Sequence, residues 1–165
     1  MPISLSPNEL YAGKLVAALD RQHPRDLFDV MLLLEHEGIS SELVDLLVIY
    51  LVSSNRPIAE LLAPNLQPIQ PVFDQQFRGM SVQTVTAEQL EQSRNTMIET
   101  VRAQLTDDHK RFLLSFKSGD PDWDRVRHSR ARELPAVQWK LQNVQRLGDA
   151  RRKAALAKLE SVLSG

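Results

Sequence analysis

The chain has 165 residues, of which 25% are charged and 42% hydrophobic, as in ordinary globular proteins and unlike disordered ones. It contains no cysteine, which excludes disulfides and cysteine-based metal sites. The net charge of −1 hides an asymmetry, because residues 1–120 carry 10 basic and 16 acidic side chains whereas residues 121–165 carry 10 and 5.

Targeting and membrane signals are weak throughout the chain. The longest apolar run, residues 46–52, is too short to span a bilayer, and the N-terminus lacks the basic and apolar regions of a signal peptide. We therefore expect a soluble cytoplasmic protein with no membrane partner.

The basic C-terminal part is open to two interpretations. It is either a surface for nucleic acid or an acidic partner, or a solvated face that offsets the acidic remainder.

Two amphipathic helices are predicted at the start. The first begins with Ser6 as N-cap, Pro7 at the first helical position and Glu9 as the capping-box partner, and it runs to about Arg21. The second begins at Pro24 and ends near Gly38, a typical helix stop. The short connection predicts a helical hairpin.

The middle of the chain contains the most apolar predicted helix. It covers residues 41–52 and is apolar on most sides, so we expect it at the centre of the core. A short helix follows at residues 57–63. Residues 64–80, with three prolines, predict a loop or extended connection, and the alternation at residues 82–85 is too short to establish a strand.

Four helices are predicted in the C-terminal part. They cover residues 87–105, 107–117, 135–148 and 149–163. We expect Trp139, in the third of them, to pack in the core rather than to serve as a platform on which a nucleic-acid base stacks. The overall prediction is an all-α protein, a helical bundle. It is organised as a hairpin plus core helix (1–63), an extended connection (64–85) and a helical region with a basic end (86–165).

A group of charged residues on the predicted hairpin is the strongest candidate site. Lys14 shares a stripe with Leu10 and Ala17, and an unpaired buried charge costs several kcal/mol. At about 1.5 Å rise per residue, Lys14 can reach acids at the start of the second helix. One interpretation is a half-buried salt bridge that closes the hairpin, and the other is a lysine that holds a phosphate beside a catalytic acid. The residues of this group are Lys14, Arg21, Arg25, Asp26 and Asp29.

Other chemical motifs do not fit their patterns. The pair Gly13-Lys14 lacks both the earlier glycine and the following Ser or Thr of a phosphate-binding loop. Residues 120–124 alternate acids, but the glycine and glutamate of a calcium loop are missing, so a solvated turn is the better interpretation. The four histidines have no metal-ligand spacing, and we predict no metal site in this chain.

A family resemblance is carried by residues 9–33. The segment ELYAGKLVAALDR, followed by RDLFD at residues 25–29, resembles the signature of the AbiEii/AbiGii nucleotidyltransferase toxins. Residues 135–141 also resemble members of that family. The resemblance implies the helical C-terminal part of a polymerase-β-like enzyme that uses NTP and magnesium in an abortive-infection toxin–antitoxin system. In some members of the family the enzyme modifies tRNA.

The resemblance also implies roles for the candidate residues. Lys14, Arg21 and Arg25 would bind nucleotide phosphate, and Asp26 and Asp29 would be the acids of the last motif. The Gly-Ser turn and D-x-D segment that hold the metals in the family precede this signature and are not matched here. We therefore expect this chain to be the product of a truncated gene, a split subunit or a fragment. Without the N-terminal half it should be inactive and should bind NTP and magnesium weakly or not at all.

A non-catalytic function remains as the alternative. The chain would then be a helical module that binds a cognate antitoxin, another partner protein, or RNA through basic residues 125–158.

Overall fold

A computed structural model of the chain describes residues 6–77 and 85–164. These residues form nine α-helices and no strand, and 76% of the structure is helical, which confirms the all-α prediction. The helices are α1 (Pro7–Arg21), α2 (Pro24–His36), α3 (Ser41–Leu51), α4 (Ile58–Leu62), α5 (Gln70–Val72), α6 (Ala87–Gln104), α7 (Asp107–Lys117), α8 (Pro135–Gln145) and α9 (Asp149–Ser164).

Local sequence signals account for most helix ends. The Ser6 hydroxyl accepts from the Glu9 N–H while the Glu9 carboxylate accepts from the Ser6 N–H, and Thr86 and Gln89 form the same reciprocal cap on α6. Gly38 follows α2 with a φ of 74°, a left-handed conformation that glycine adopts at little cost. The Ser6 cap and the stop at Gly38 were predicted from sequence because each depends on residues within three positions of the helix end.

The core is one continuous hydrophobic cluster that draws on every α-helix of the described residues except α5, which is flanked by the buried Ile69 and Phe73. Helix α3 lies at its centre and packs along α1, while α2 packs against both α1 and α6. The predicted central position of α3 is confirmed, since six of its eleven residues are buried. This packing places the α1–α2 hairpin on one side of the core, with one edge open to solvent.

The connection after α4 differs from the predicted loop. Within the described part of it, α5 is followed by a π-helical turn, Phe73–Phe77. Ile69 and Phe73, four residues apart, are 1% and 7% exposed, and burying both on one side favours a helical turn there over an extended chain. Residues 82–84 of the alternating stretch, like residues 1–5, lie outside the described residues.

Helix α8 differs from prediction in the face that it buries. Val137, Lys140 and Val144 point into the molecule, whereas Trp139 is 53% exposed. The prediction that Trp139 packs in the core is therefore wrong, because the inward stripe of α8 runs along the other side of the helix. Trp123, by contrast, packs against Phe112 with ring centroids 4.9 Å apart.

No helix in the described ranges has both the length and the apolar character needed to cross a bilayer.

Candidate functional site

The turn between α1 and α2 sets the geometry of the candidate site. Gln22 ends α1 in a left-handed conformation with φ 51°, and the His23 ring nitrogen Nδ1 accepts from the N–H of Arg25 at 3.2 Å. Pro24 then begins α2 at a position where its missing N–H costs nothing. The chain thus reverses over two residues, and the last turns of α1 face the first turns of α2.

Lys14 and Asp29 join the two helices across this hairpin. Lys14 Nζ lies 3.0 Å from Asp29 Oδ2, and the two side chains are 35% and 39% exposed. The predicted reach of Lys14 to the carboxylates is confirmed. The prediction that Lys14 lies on an apolar stripe facing the core is wrong in one respect, because Leu10 on the same stripe is 47% exposed. The buried stripe of α1 lies on the other side, at Ala12, Leu15, Ala18 and Leu19.

A second ion pair lies closer to the turn. Arg21 contacts both carboxylate oxygens of Asp26 at 3.0 and 3.1 Å, with the guanidinium side chain 63% and the carboxylate 16% exposed. Asp26 sits in the first turn of α2, where the helix dipole favours a negative charge. Arg25 is exposed beside it. The structure thus brings all five predicted residues to one edge, which we call the hairpin edge (Lys14, Arg21, Arg25, Asp26 and Asp29).

The hairpin edge fits phosphate better than it fits a metal ion. It combines three cations with two carboxylates, and partly exposed ion pairs exchange partners at a cost of about 1 kcal/mol or less. An incoming phosphate can therefore replace Asp29 as the partner of Lys14. Within residues 6–77 and 85–164 there is no group of three or more His, Asp or Glu side chains close enough to hold a metal ion. Asp26 and Asp29 each neutralise a cation of α1 instead.

A buried polar network behind the turn was not predicted. The Gln22 side chain donates to the Asn65 carbonyl at 2.6 Å and accepts from the Gln67 N–H at 2.9 Å and from Arg94 at 3.0 Å. Arg94, which also donates to the Gln67 carbonyl at 2.7 Å, is 5% exposed, and burial lowers the pKa of its guanidinium. The network ties the hairpin turn to α6 and to the chain after α4. The signal that could have found it is an arginine in the apolar stripe of α6.

A polar cleft opens next to Arg21. Its volume is about 640 Å³, within the usual range for small-molecule sites. Arg56 and Asp20 line the cleft and form an ion pair with each other. Glu60, which also lines it, lies 4.0 Å from both Arg56 and Lys158. The cleft extends the charged surface of the hairpin edge toward α4 and α9.

Comparison with known families identifies a match that covers most of the chain. A family model described as nucleotidyl transferase AbiEii toxin, type IV toxin–antitoxin system, matches residues 4–143 of the chain. The matched range contains the whole hairpin edge. Searches of curated proteins and of solved structures returned no match.

Proposed function

The chain belongs to the AbiEii family of nucleotidyltransferase toxins, and we propose that its hairpin edge is the helical side of a nucleotide-transfer site. Membership in a type IV toxin–antitoxin family implies an antitoxin as the functional counterpart. The observation that carries the proposal is the meeting of Lys14 and Asp29 at 3.0 Å, from two different helices, on an edge that solvent reaches.

The three cations would bind the phosphates of the nucleotide. Lys14 offers a compact ammonium group, and Arg21, at 63% exposure, offers several guanidinium donors to phosphate oxygens. Arg25 adds a further exposed donor on the first turn of α2. Preorganised positive charge of this kind stabilises negative charge that develops on a transferring phosphoryl group.

The two carboxylates have different surroundings and so different proposed roles. Asp29, the more exposed at 39%, is the acid that faces the reacting groups and releases Lys14 when phosphate binds. Asp26, at 16% exposure, stays with Arg21 and orients it. Nucleotidyltransferases of this family usually depend on NTP and a metal. Because the acids of the hairpin edge do not fit a metal, we assign no metal-dependent step to them.

The metal-binding acids would then belong to a Gly-Ser and D-x-D segment of the kind found in the family, and this chain alone would be inactive. The test mixes this chain with the N-terminal part of a full-length family member and measures transfer of label from radioactive NTP to RNA. We expect transfer only in the mixture. Transfer by the chain alone would overturn this assignment.

Lys14→Ala tests the hairpin edge in the same assay. Loss of a phosphate-binding cation typically lowers the rate by about tenfold or more, since each 1.4 kcal/mol of lost transition-state stabilisation is a factor of ten. Lys110→Ala is the matched control, because it removes a lysine of α7 that lies outside both the hairpin edge and the polar cleft beside Arg21. Equal rates for wild type and Lys14→Ala would contradict the proposal.

A second candidate function is a module that binds RNA or a partner protein without catalysis. The observation that favours it is the exposure of basic side chains in the last third of the chain. They include Arg127, Arg130, Arg132, Arg146, Arg151 and Lys153. RNA binding that weakens steeply with salt would favour RNA, and co-purification with the antitoxin would favour a protein partner.

A further inference from the structure

The outward face of α8 presents an aromatic ring that the fold leaves uncovered. We call the exposed residues on this side the α8 face (Pro135, Gln138, Trp139, Gln142 and Arg146). At 100° per residue, positions 135, 139, 142 and 146 fall on one stripe of the helix. A tryptophan that is 53% exposed at the centre of such a stripe contributes little to the core and is a candidate contact residue.

The orientation of Trp139 is held by its neighbour in sequence. Lys140 Nζ donates to the carbonyl oxygens of Leu51, Ser54 and Arg56 at 3.3, 2.6 and 2.7 Å, at the C-terminal end of α3. A cation is favourable at a helix C-terminus, where carbonyl groups lack intrahelical partners. Since Lys140 is anchored inward, the indole of Trp139 is directed outward on a rigid element.

The chemistry around the ring is cationic and rich in amides. The eleven residues of α8 include no aspartate or glutamate. Gln138 and Gln142 are exposed next to the indole, and Arg146 is exposed one further turn along. The 3₁₀ turn Ser129–Glu133, which leads into α8, adds exposed Arg130 and Arg132 and one exposed acid, Glu133. The aromatic ring thus shares this part of the surface with hydrogen-bonding amides and an excess of positive charge.

We propose that the α8 face binds single-stranded RNA, with a base stacked on Trp139 and phosphates held by Arg132 and Arg146. The amides of Gln138 and Gln142 are placed to meet base edges. The inference rests on the RNA-binding candidate function and locates it on one helix face. Stacking on an aromatic ring together with nearby cations is the way proteins bind single strands without strict sequence preference.

A protein partner fits this face less well. Protein interfaces bury roughly 800 Å² on each side around an apolar centre. On the α8 face the apolar centre is one indole with glutamines beside it, and the only other large apolar side chain exposed in this part of the described chain is Leu134. The positive rim complements a polyphosphate backbone.

Tryptophan fluorescence tests the proposal directly because the sequence contains two tryptophans. Trp123→Phe removes the one packed against Phe112 and leaves Trp139 as the reporter. Titration of this variant with a short single-stranded oligoadenylate should quench the indole emission as bases stack. Quenching that instead follows protein concentration without RNA would identify self-association and overturn the proposal.

Affinity measurements on substituted proteins provide the second readout. Trp139→Ala should weaken oligoadenylate binding by about 5- to 150-fold, the range for loss of one stacked base, while Trp139→Phe should retain most of it. Arg146→Ala should weaken binding and reduce the slope of log affinity against log salt by about 1. Arg111→Ala, which removes an exposed arginine of α7 outside the face, is the charge-matched control.

The outcomes separate this inference from the functions proposed above. Binding lowered by arginine substitutions but unchanged in Trp139→Ala would keep the RNA-binding candidate and overturn the stacking face. Absence of oligoadenylate binding would overturn both. Lys14→Ala should leave oligoadenylate binding unchanged, so failure of the hairpin edge in nucleotide transfer does not affect this test. Far-ultraviolet circular dichroism of each variant checks that the fold is intact.

Discussion

Lys140 shows how a single side chain couples the fold to pH. Burial, reinforced by the positive charge of Lys117, lowers the pKa of the Lys140 ammonium group to about 8 from the ordinary 10.5. The folded protein therefore releases this proton at a lower pH than the unfolded chain does. Between those two values the unfolded state binds more protons, so the free energy of unfolding rises with pH in that window.

We predict that Lys140→Met removes this pH-dependent component. In wild type it should amount to about 3.5 kcal/mol at most between pH 8 and 10.5, since one pKa unit is worth about 1.4 kcal/mol. The measurement is denaturant unfolding at several pH values, with Lys153→Met, an exposed lysine of α9, as control. Identical pH slopes for wild type and Lys140→Met would contradict the assignment.

Lys14 and Arg94 are both cations held by neighbouring groups, but they differ in exposure. Lys14→Ala is expected to lower the free energy of unfolding by about 1 kcal/mol or less, because both partners of its ion pair are more than one third exposed. Chemical denaturation measures the change. A loss above about 2 kcal/mol would show that Lys14 serves mainly as the bridge that closes the hairpin.

Arg94→Ala provides the buried counterpart of that experiment. It removes a side chain that is 5% exposed and donates to the Gln22 side chain and to the Gln67 carbonyl, so the buried Gln22 oxygen keeps only the Gln67 N–H as donor. The expected loss is about 2–4 kcal/mol, as for other buried hydrogen-bonded groups. A loss as small as that of Lys14→Ala would show that the network behind the turn contributes little to stability.

At the scale of the element, two glycines separate two effects of adding a side chain: the space available for it and the backbone strain that it causes. A methyl group on Gly13 in α1 would lie 3.6 Å from Tyr50 Cε2, an ordinary contact. Gly13→Ala is therefore expected to stabilise the protein by about 0.5–1 kcal/mol, the difference in helix propensity. Thermal unfolding monitored by far-ultraviolet circular dichroism measures it.

Gly38→Ala is the matched control for Gly13→Ala. A methyl group on Gly38 has open space around it, but its φ of 74° disfavours any L side chain. We expect a loss of about 1–2 kcal/mol from strain alone. Stabilisation at Gly38, or destabilisation at Gly13, would show that the local environment outweighs these backbone preferences.

At the scale of the whole molecule, one hydrophobic cluster connects the predicted regions 1–63 and 86–165. Helices α2 and α6 pack along each other, so neither region buries its apolar surface alone. We predict one cooperative unfolding transition, with tryptophan fluorescence and circular dichroism giving the same midpoint. Two separated transitions would instead support the boundary at residues 64–85 as a division between independent units.

Helix positions and caps were predictable because they depend on neighbours in sequence. Ser6 and Thr86 mark helix starts through side chains three residues away, and Pro24 opens α2 by its own geometry. The five residues of the hairpin edge were also found from sequence, since a two-residue turn brings the ends of two helices together. Their roles in nucleotide transfer stay a prediction.

What the sequence by itself determined was the all-α class, the hairpin and the reach of Lys14 to the acids of α2, all of which follow from local periodicity and short connections. Only the tertiary structure decided which faces became surface. Trp139 lies outside because Lys140 reaches the end of α3, 84–89 residues earlier, and Gln22 is buried because Arg94 meets it from α6. Such contacts depend on packing between distant segments, which local pattern does not encode.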